Sequence, residues 1–134
     1  MSQSNPDIPA LIGSRICHDL ISPVGAISNG LELLAMTQNA PGNASGPEMA
    51  LVSDSAANAS ARIRLFRLAF GAASAGQQVA SEEVVSILRA VYAENRVKPD
   101  WQVTGPQDRM EVKAALLAML CLESALPGVG IMTI

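Results

Sequence analysis

The sequence predicts a mainly α fold: a long antiparallel helical hairpin that pairs into a dimeric four-helix bundle, followed by a smaller α/β domain. Three observations predict it. Apolar residues make up 49% of the 134, yet there are only one Trp, one Tyr and two Phe, a balance that suits closely packed helices better than a β-sandwich. Two long stretches carry apolar residues at helical spacing and are separated by one cluster of turn formers. After Ala80 the pattern changes to alternating helix and strand candidates.

The polar head Met1 to Pro9 lacks the basic and apolar segments of a signal peptide. From about Ile8 to Gln38 the spacing predicts one long helix, with Ile16, Leu20, Ile27, Leu31 and Leu34 as its core face. Asn39 to Pro47, rich in Asn, Gly and Pro, predicts a loop. A second helix follows, with Val52, Ala56, Ala59, Ile63, Phe66 and Phe70 as its apolar seam. A lone hairpin buries only one face of each helix, so a second copy of the chain is expected to complete the bundle.

Gly71 to Ala80 is small and flexible in composition. Ser81 is the expected N-cap of a helix reaching about Asn95, and Pro99 forbids helix continuation. Trp101 to Thr104 is a strand candidate, Gln107 to Leu126 a helix stopped by Pro127-Gly128, and Gly130 to Ile134 a second strand. The chain stops as that sheet begins, so the α/β part is expected to be incomplete, a fragment or a much reduced domain. The expected organisation is residues 1–74 as the hairpin and 75–134 as the start of the α/β domain. Trp101 and the methionines are expected in the core.

Net charge is −3 and no basic stripe is interleaved with aromatics, which argues against nucleic-acid binding. Cys17 and Cys121 form no Cys-x-x-Cys pair, and a single histidine leaves no zinc ligand set. The longest apolar run, Ala114 to Leu122, is far short of the roughly 20 residues that span a bilayer. A soluble cytoplasmic protein, with no cofactor, metal or membrane partner of its own, is the expectation.

That leaves one residue with evident chemistry. At about 100° per residue, His18 falls opposite the apolar face of the first helix, beside Leu11, Ser14, Arg15, Ser22, Gly25 and Asn29. Asp19 follows directly, and a carboxylate commonly orients an imidazole or moves its proton. Ser22 lies one turn on, where a hydroxyl would help place a water or a phosphoryl oxygen. Pro23 sits inside the helix, removes the hydrogen bond to the Asp19 carbonyl and kinks the chain just past the histidine.

The run Cys17-His18-Asp19-Leu20-Ile21-Ser22-Pro23-Val24 resembles the H-box of histidine kinases. The longer run from Ser14 to Gly30 is closer still to the alphaproteobacterial histidine phosphotransferases of the ChpT family. The resemblance implies a homodimer whose hairpins form a four-helix bundle, followed by a degenerate histidine-kinase ATP-binding domain that no longer binds ATP. It gives His18 the phosphoryl group, Asp19 the assisting acid, Ser22 the position tied in kinases to partner dephosphorylation, and Pro23 the kink. Ser14, Arg15, Ile21 and Gly25 are the expected partner-binding residues, because little bulk there obstructs a receiver domain. Small residues on an outer face can equally be filler.

A working kinase domain of this class needs an Asn on the helix that holds Mg²⁺, then an Asp-x-Gly-x-Gly loop. Aligning the helix end on Ala125-Leu126-Pro127 puts Cys121 at the Asn position, and a thiol is a poor ligand for that hard cation. Neither the Asp-x-Gly-x-Gly loop nor a P-loop occurs in the chain. The expected function is therefore phosphotransfer without autokinase activity, between receiver domains of a hybrid histidine kinase and of response regulators, with Mg²⁺ supplied by the receiver. The alternatives are the dimerisation and phosphoacceptor fragment of a sensor histidine kinase, or a non-catalytic helical dimerisation module. Glu82 and Glu83 diverge by about 100° on a helix and read as favourable N-terminal charge. Arg62, Arg64 and Arg67 read as a solvated face, with contact to an acidic receiver as the lesser alternative.

Overall fold

The computed structural model describes residues 5–37 and 46–134, which fall into two compact units, Met1–Ala59 and Ser60–Ile134. Of the loop expected from Asn39 to Pro47, residues 39–45 lie outside the described residues and Pro47 already belongs to a helix. Helix α1 spans Ile8–Thr37 and helix α2 Pro47–Phe70. Asp7 starts α1: its Oδ1 accepts the Ala10 N–H at 3.1 Å and its carbonyl accepts that of Leu11 at 3.0 Å. Pro47 opens α2, a position whose N–H would have no intrahelical partner anyway.

In the first unit Ile12, Ile16, Leu20, Pro23, Ile27, Gly30 and Leu34, all buried or half-buried, form a stripe along α1. Its neighbour on α2 carries Val52, Ser55 and Ala59. Leu31 is 54% exposed and Ile63 48%, and Ala56 is exposed too, so these three lie outside the buried stripe of the single chain. Small or stiff residues take that place, because the helices approach too closely for large ones. A Cβ added to Gly30 would lie 2.5 Å from Val52 Cγ2. Gly30→Leu is therefore expected to destabilise the hairpin by about 1–3 kcal/mol through overpacking, read as a lower urea midpoint at unchanged slope.

The second unit holds the end of α2, then β1 (Gln78–Val79), α3 (Ser81–Tyr92), β2 (Val97–Asp100), β3 (Gln107–Asp108), α4 (Arg109–Ala125) and β4 (Gly130–Thr133). β1 pairs antiparallel with β3, and β2 pairs parallel with β4 in the register Val97 to Gly130 through Asp100 to Thr133. The strand expected at Trp101–Thr104 thus lies earlier. Pro99 ends no more than the helical pattern and sits within β2, which pairs on one side only and tolerates a missing donor. One step of the ladder does continue, with the Gln102 N–H donating to the Ile134 carbonyl at 2.9 Å.

Ser81 is the first residue of α3 and not its cap. The preceding Ala80 is extended, and the Ser81 hydroxyl reaches the carbonyls of Val103 and Gly105, each at 2.8 Å, tying that segment to the helix. Asp108 caps α4 by accepting the Met110 N–H at 2.8 Å. Leu65, Leu68 and Ala69 of α2, Val84, Ile87, Leu88 and Val91 of α3, Val112, Leu116 and Met119 of α4 and Met132 of β4 make one core. Trp101 packs half-buried against it, whereas Met36, Met49 and Met110 are exposed, contrary to the expectation for the methionines. Arg109 donates to the carbonyls of Arg67 and Ala72 and Lys113 to that of Gly71, so two cations satisfy carbonyls in the last turn of α2 and just past its end. Among the described residues no helix is long and apolar enough to cross a membrane.

Candidate functional site

His18 stands on the face of α1 turned away from the buried stripe, with 86% of its side chain exposed. Exposed Ser14, Ile21, Ser22 and Asn29 and half-buried Gly25 surround it. Asp19 lies lower, only 13% exposed at its side chain, on the flank between the outer face and the stripe. Its Oδ1 is 3.1 Å from His18 Nδ1 and its Oδ2 accepts from Arg15 Nε at 3.0 Å. An ionised carboxylate can only accept, so this contact assigns the proton to Nδ1 and leaves the lone pair on Nε2.

Local sequence explains the arrangement. Arg15 and Asp19 are four residues apart and meet as helix neighbours, while His18 and Asp19 are adjacent and meet only because the carboxylate leans across the helix. Pro23 is buried in the inner stripe, so its missing N–H and its ring fall on the side of α2 rather than on the imidazole face. The sequence placed Pro23 correctly as a helix-internal residue but did not reveal which side it faces. The Arg15–Asp19 pair was missed as well: Arg15 was expected to meet a partner, and the structure bonds it to Asp19. The spacing of acid and base at i and i+4 was the signal available. Among the described residues no hydrogen bond joins Ser22 to the His18–Asp19 pair.

The other candidates lie apart from this chemistry. Cys121 is an exposed free thiol on α4. Glu82 and Glu83 sit in the first turn of α3, Glu83 3.9 Å from Arg64. A cleft of about 520 Å³ gathers Arg64, Arg67 and Arg109 near Glu83, and one of about 720 Å³ lies between α3 and the 101–105 segment. Among the described residues no three His, Cys, Asp or Glu gather where they could hold a metal ion.

Residues 81–134 match the family model of the histidine phosphotransferase C-terminal domain. Over 128 residues the chain is 42% identical to the protein phosphotransferase ChpT of Brucella abortus (strain 2308), covering 92% of this chain and 58% of that protein. It is also similar to a solved bacterial phosphotransferase, with a TM-score of 0.68 and 36% identity over 99% of this chain and 63% of that one. The similarity to ChpT-type phosphotransferases is the one that the run around His18 leads one to expect, and the chain spans about six-tenths of the length of the proteins it matches.

Proposed function

We propose that the chain is a histidine phosphotransferase of a two-component phosphorelay, carrying phosphoryl groups between receiver-domain aspartates on His18. The observation that carries this reading is the exposed imidazole whose Nδ1 is held by Asp19 while Nε2 is open to a partner. Nε2 attacks the phosphorus of an aspartyl phosphate in line; the N–P bond forms as the acyl O–P bond breaks, and the receiver's carboxylate leaves. The ring gains positive charge in that step, and Asp19 beside Nδ1 stabilises it and holds the proton. Transfer to a second receiver runs the same step backwards. Mg²⁺ and the acidic cluster come with the receiver, so the chain itself brings no metal to the reaction.

Partners of this chemistry are the receiver domain of a hybrid histidine kinase on one side and those of response regulators on the other. Ser14, Ile21, Ser22 and Gly25 form the docking surface around His18, and Ser22 is the residue that would place a phosphoryl oxygen or a water. Residues 75–134 begin a degenerate kinase-type ATP-binding domain in which Cys121 stands at the metal-binding Asn position, which supports phosphotransfer without autokinase activity. Two free cysteines fit a reducing cytoplasm.

The reading includes a homodimer. Val24 (51% exposed) and Leu31 (54%) on α1 and Met49 (45%) and Ile63 (48%) on α2 lie at heptad spacing, a second apolar seam beside the one inside the hairpin. A second hairpin covers such seams. Val24→Glu combined with Leu31→Glu is expected to raise the dimer dissociation constant more than about a hundredfold, since burial of two such side chains contributes at least about 3 kcal/mol. Light scattering that finds the double variant still dimeric would refute this interface. The function itself is tested by mixing the protein with a ³²P-labelled receiver domain and scoring label that is acid-labile and base-stable. Absence of that label on the wild type, or equal label on His18→Ala, would sink the proposal.

A further inference from the structure

We propose that Arg15 is a positioning residue of the phosphotransfer site, acting through Asp19 and not by touching the partner or the phosphoryl group. The inference rests on His18 being the phosphoacceptor. Adjacent helix residues point about 100° apart, so a carboxylate at position 19 does not meet the imidazole at 18 unless something turns it there. Arg15 supplies that constraint. It lies one turn before Asp19 on the same flank, and its Nε holds Oδ2 at 3.0 Å while Oδ1 stands 3.1 Å from His18 Nδ1. The carboxylate is thereby used at both ends, one oxygen for the guanidinium and one for the ring.

Burial fits the same division of labour. Exposure falls from 86% at the His18 side chain to 31% at Arg15 and 13% at Asp19, so the pair that holds the ring is withdrawn from water while the ring is not. Restricted access keeps water from competing for the carboxylate, and the guanidinium's planar fork fixes its direction in a way a point charge does not. The same geometry keeps the proton on Nδ1 and the lone pair on Nε2.

The test compares Arg15→Ala with wild type using two phosphodonors, a phosphorylated receiver domain and phosphoramidate. In the second reaction Nε2 attacks phosphorus and ammonia leaves, with no protein surface to dock. Arg15→Ala is expected to slow labelling of His18 about tenfold with both donors, the lower end of what supporting hydrogen bonds to a functional imidazole are worth. Combined with Asp19→Asn it is expected to add nothing further, because both act through one carboxylate. Ring ¹⁵N shifts of His18 should show a smaller Nδ1–H tautomer population in Arg15→Ala than in wild type. An unchanged rate with phosphoramidate overturns the proposal, even if transfer from the receiver slows, since Arg15 is then a docking residue. Multiplying rate losses in the double variant, or an unchanged tautomer population, overturns it too. Failure of the wild type to accept phosphate from any receiver would refute the phosphotransferase reading instead, while the ring shifts still report on Arg15.

Discussion

His18→Ala abolishes uptake of acid-labile, base-stable phosphate from a phosphorylated receiver domain, the largest functional effect expected of any single substitution here. No second histidine exists in the 134 residues to take over. The loss is chemical and not structural, because the side chain is 86% exposed and surface changes of this kind usually move stability by under about 0.5 kcal/mol. Helical circular dichroism and the thermal midpoint should therefore match wild type. Asp19→Asn separates the roles of the pair: the site keeps its shape but loses the charge that stabilises a cationic ring, and transfer should slow about a hundredfold, within the usual range for general acid–base assistance. Single-turnover measurement with saturating receiver checks it. An Asp19→Asn rate equal to wild type would leave His18 as acceptor but remove Asp19 from the mechanism.

The exposed face that carries His18 was more legible than the packing beneath it, for a physical reason. A polar, small-residue face contrasts with any apolar background, so the wheel placed His18 opposite the buried stripe without knowing the partner helix. The inner seam offers no such contrast. Apolar residues occupy two adjacent stripes of each helix, and a wheel weighted by hydrophobicity merges them: it grouped Leu31, Ala56 and Ile63, exposed in the single chain, with the buried residues and passed over Pro23, Gly30 and Ser55. Close approach of Gly30 to Val52 is a property of the helix pair, which no single-helix pattern carries. In the second unit the long elements α3 and α4 were legible through their periodicity. The two-residue strands β1 and β3 were not, because two residues have no period, and their pairing joins positions about 30 residues apart (Gln78 to Asp108, Val79 to Gln107). Pro99 misled for a related reason. It reads locally as a breaker, and only the one-sided pairing of β2 with β4 makes it harmless.

Leu116→Ala is expected to be the most destabilising conservative truncation of the second unit. Leu116 is 1% exposed on α4 and lies in the cluster that joins Leu65 and Leu68 of α2 to Val84 and Ile87 of α3 and Met119 of α4. Three helices converge on that position, so the neighbours cannot all relax into the space, and the loss combines the transfer term with a cavity term of about 2–5 kcal/mol in total. Against a total stability of about 5–15 kcal/mol that is a large fraction. For a unit of this size each kcal/mol moves the melting temperature by about 4–8 °C, so a drop of at least about 8 °C is expected by calorimetry. Leu116→Met, which nearly conserves volume, should cost under about 1.5 kcal/mol and serves as the control. If Leu116→Ala melts within about 3 °C of wild type, the convergence of helices at this position is looser than the packing described. His18 offers the complementary readout. Leu116 belongs to the core of the second unit and His18 to the first, so folded Leu116→Ala protein below its transition should label from phosphoramidate at the wild-type rate, separating a damaged core from a damaged site.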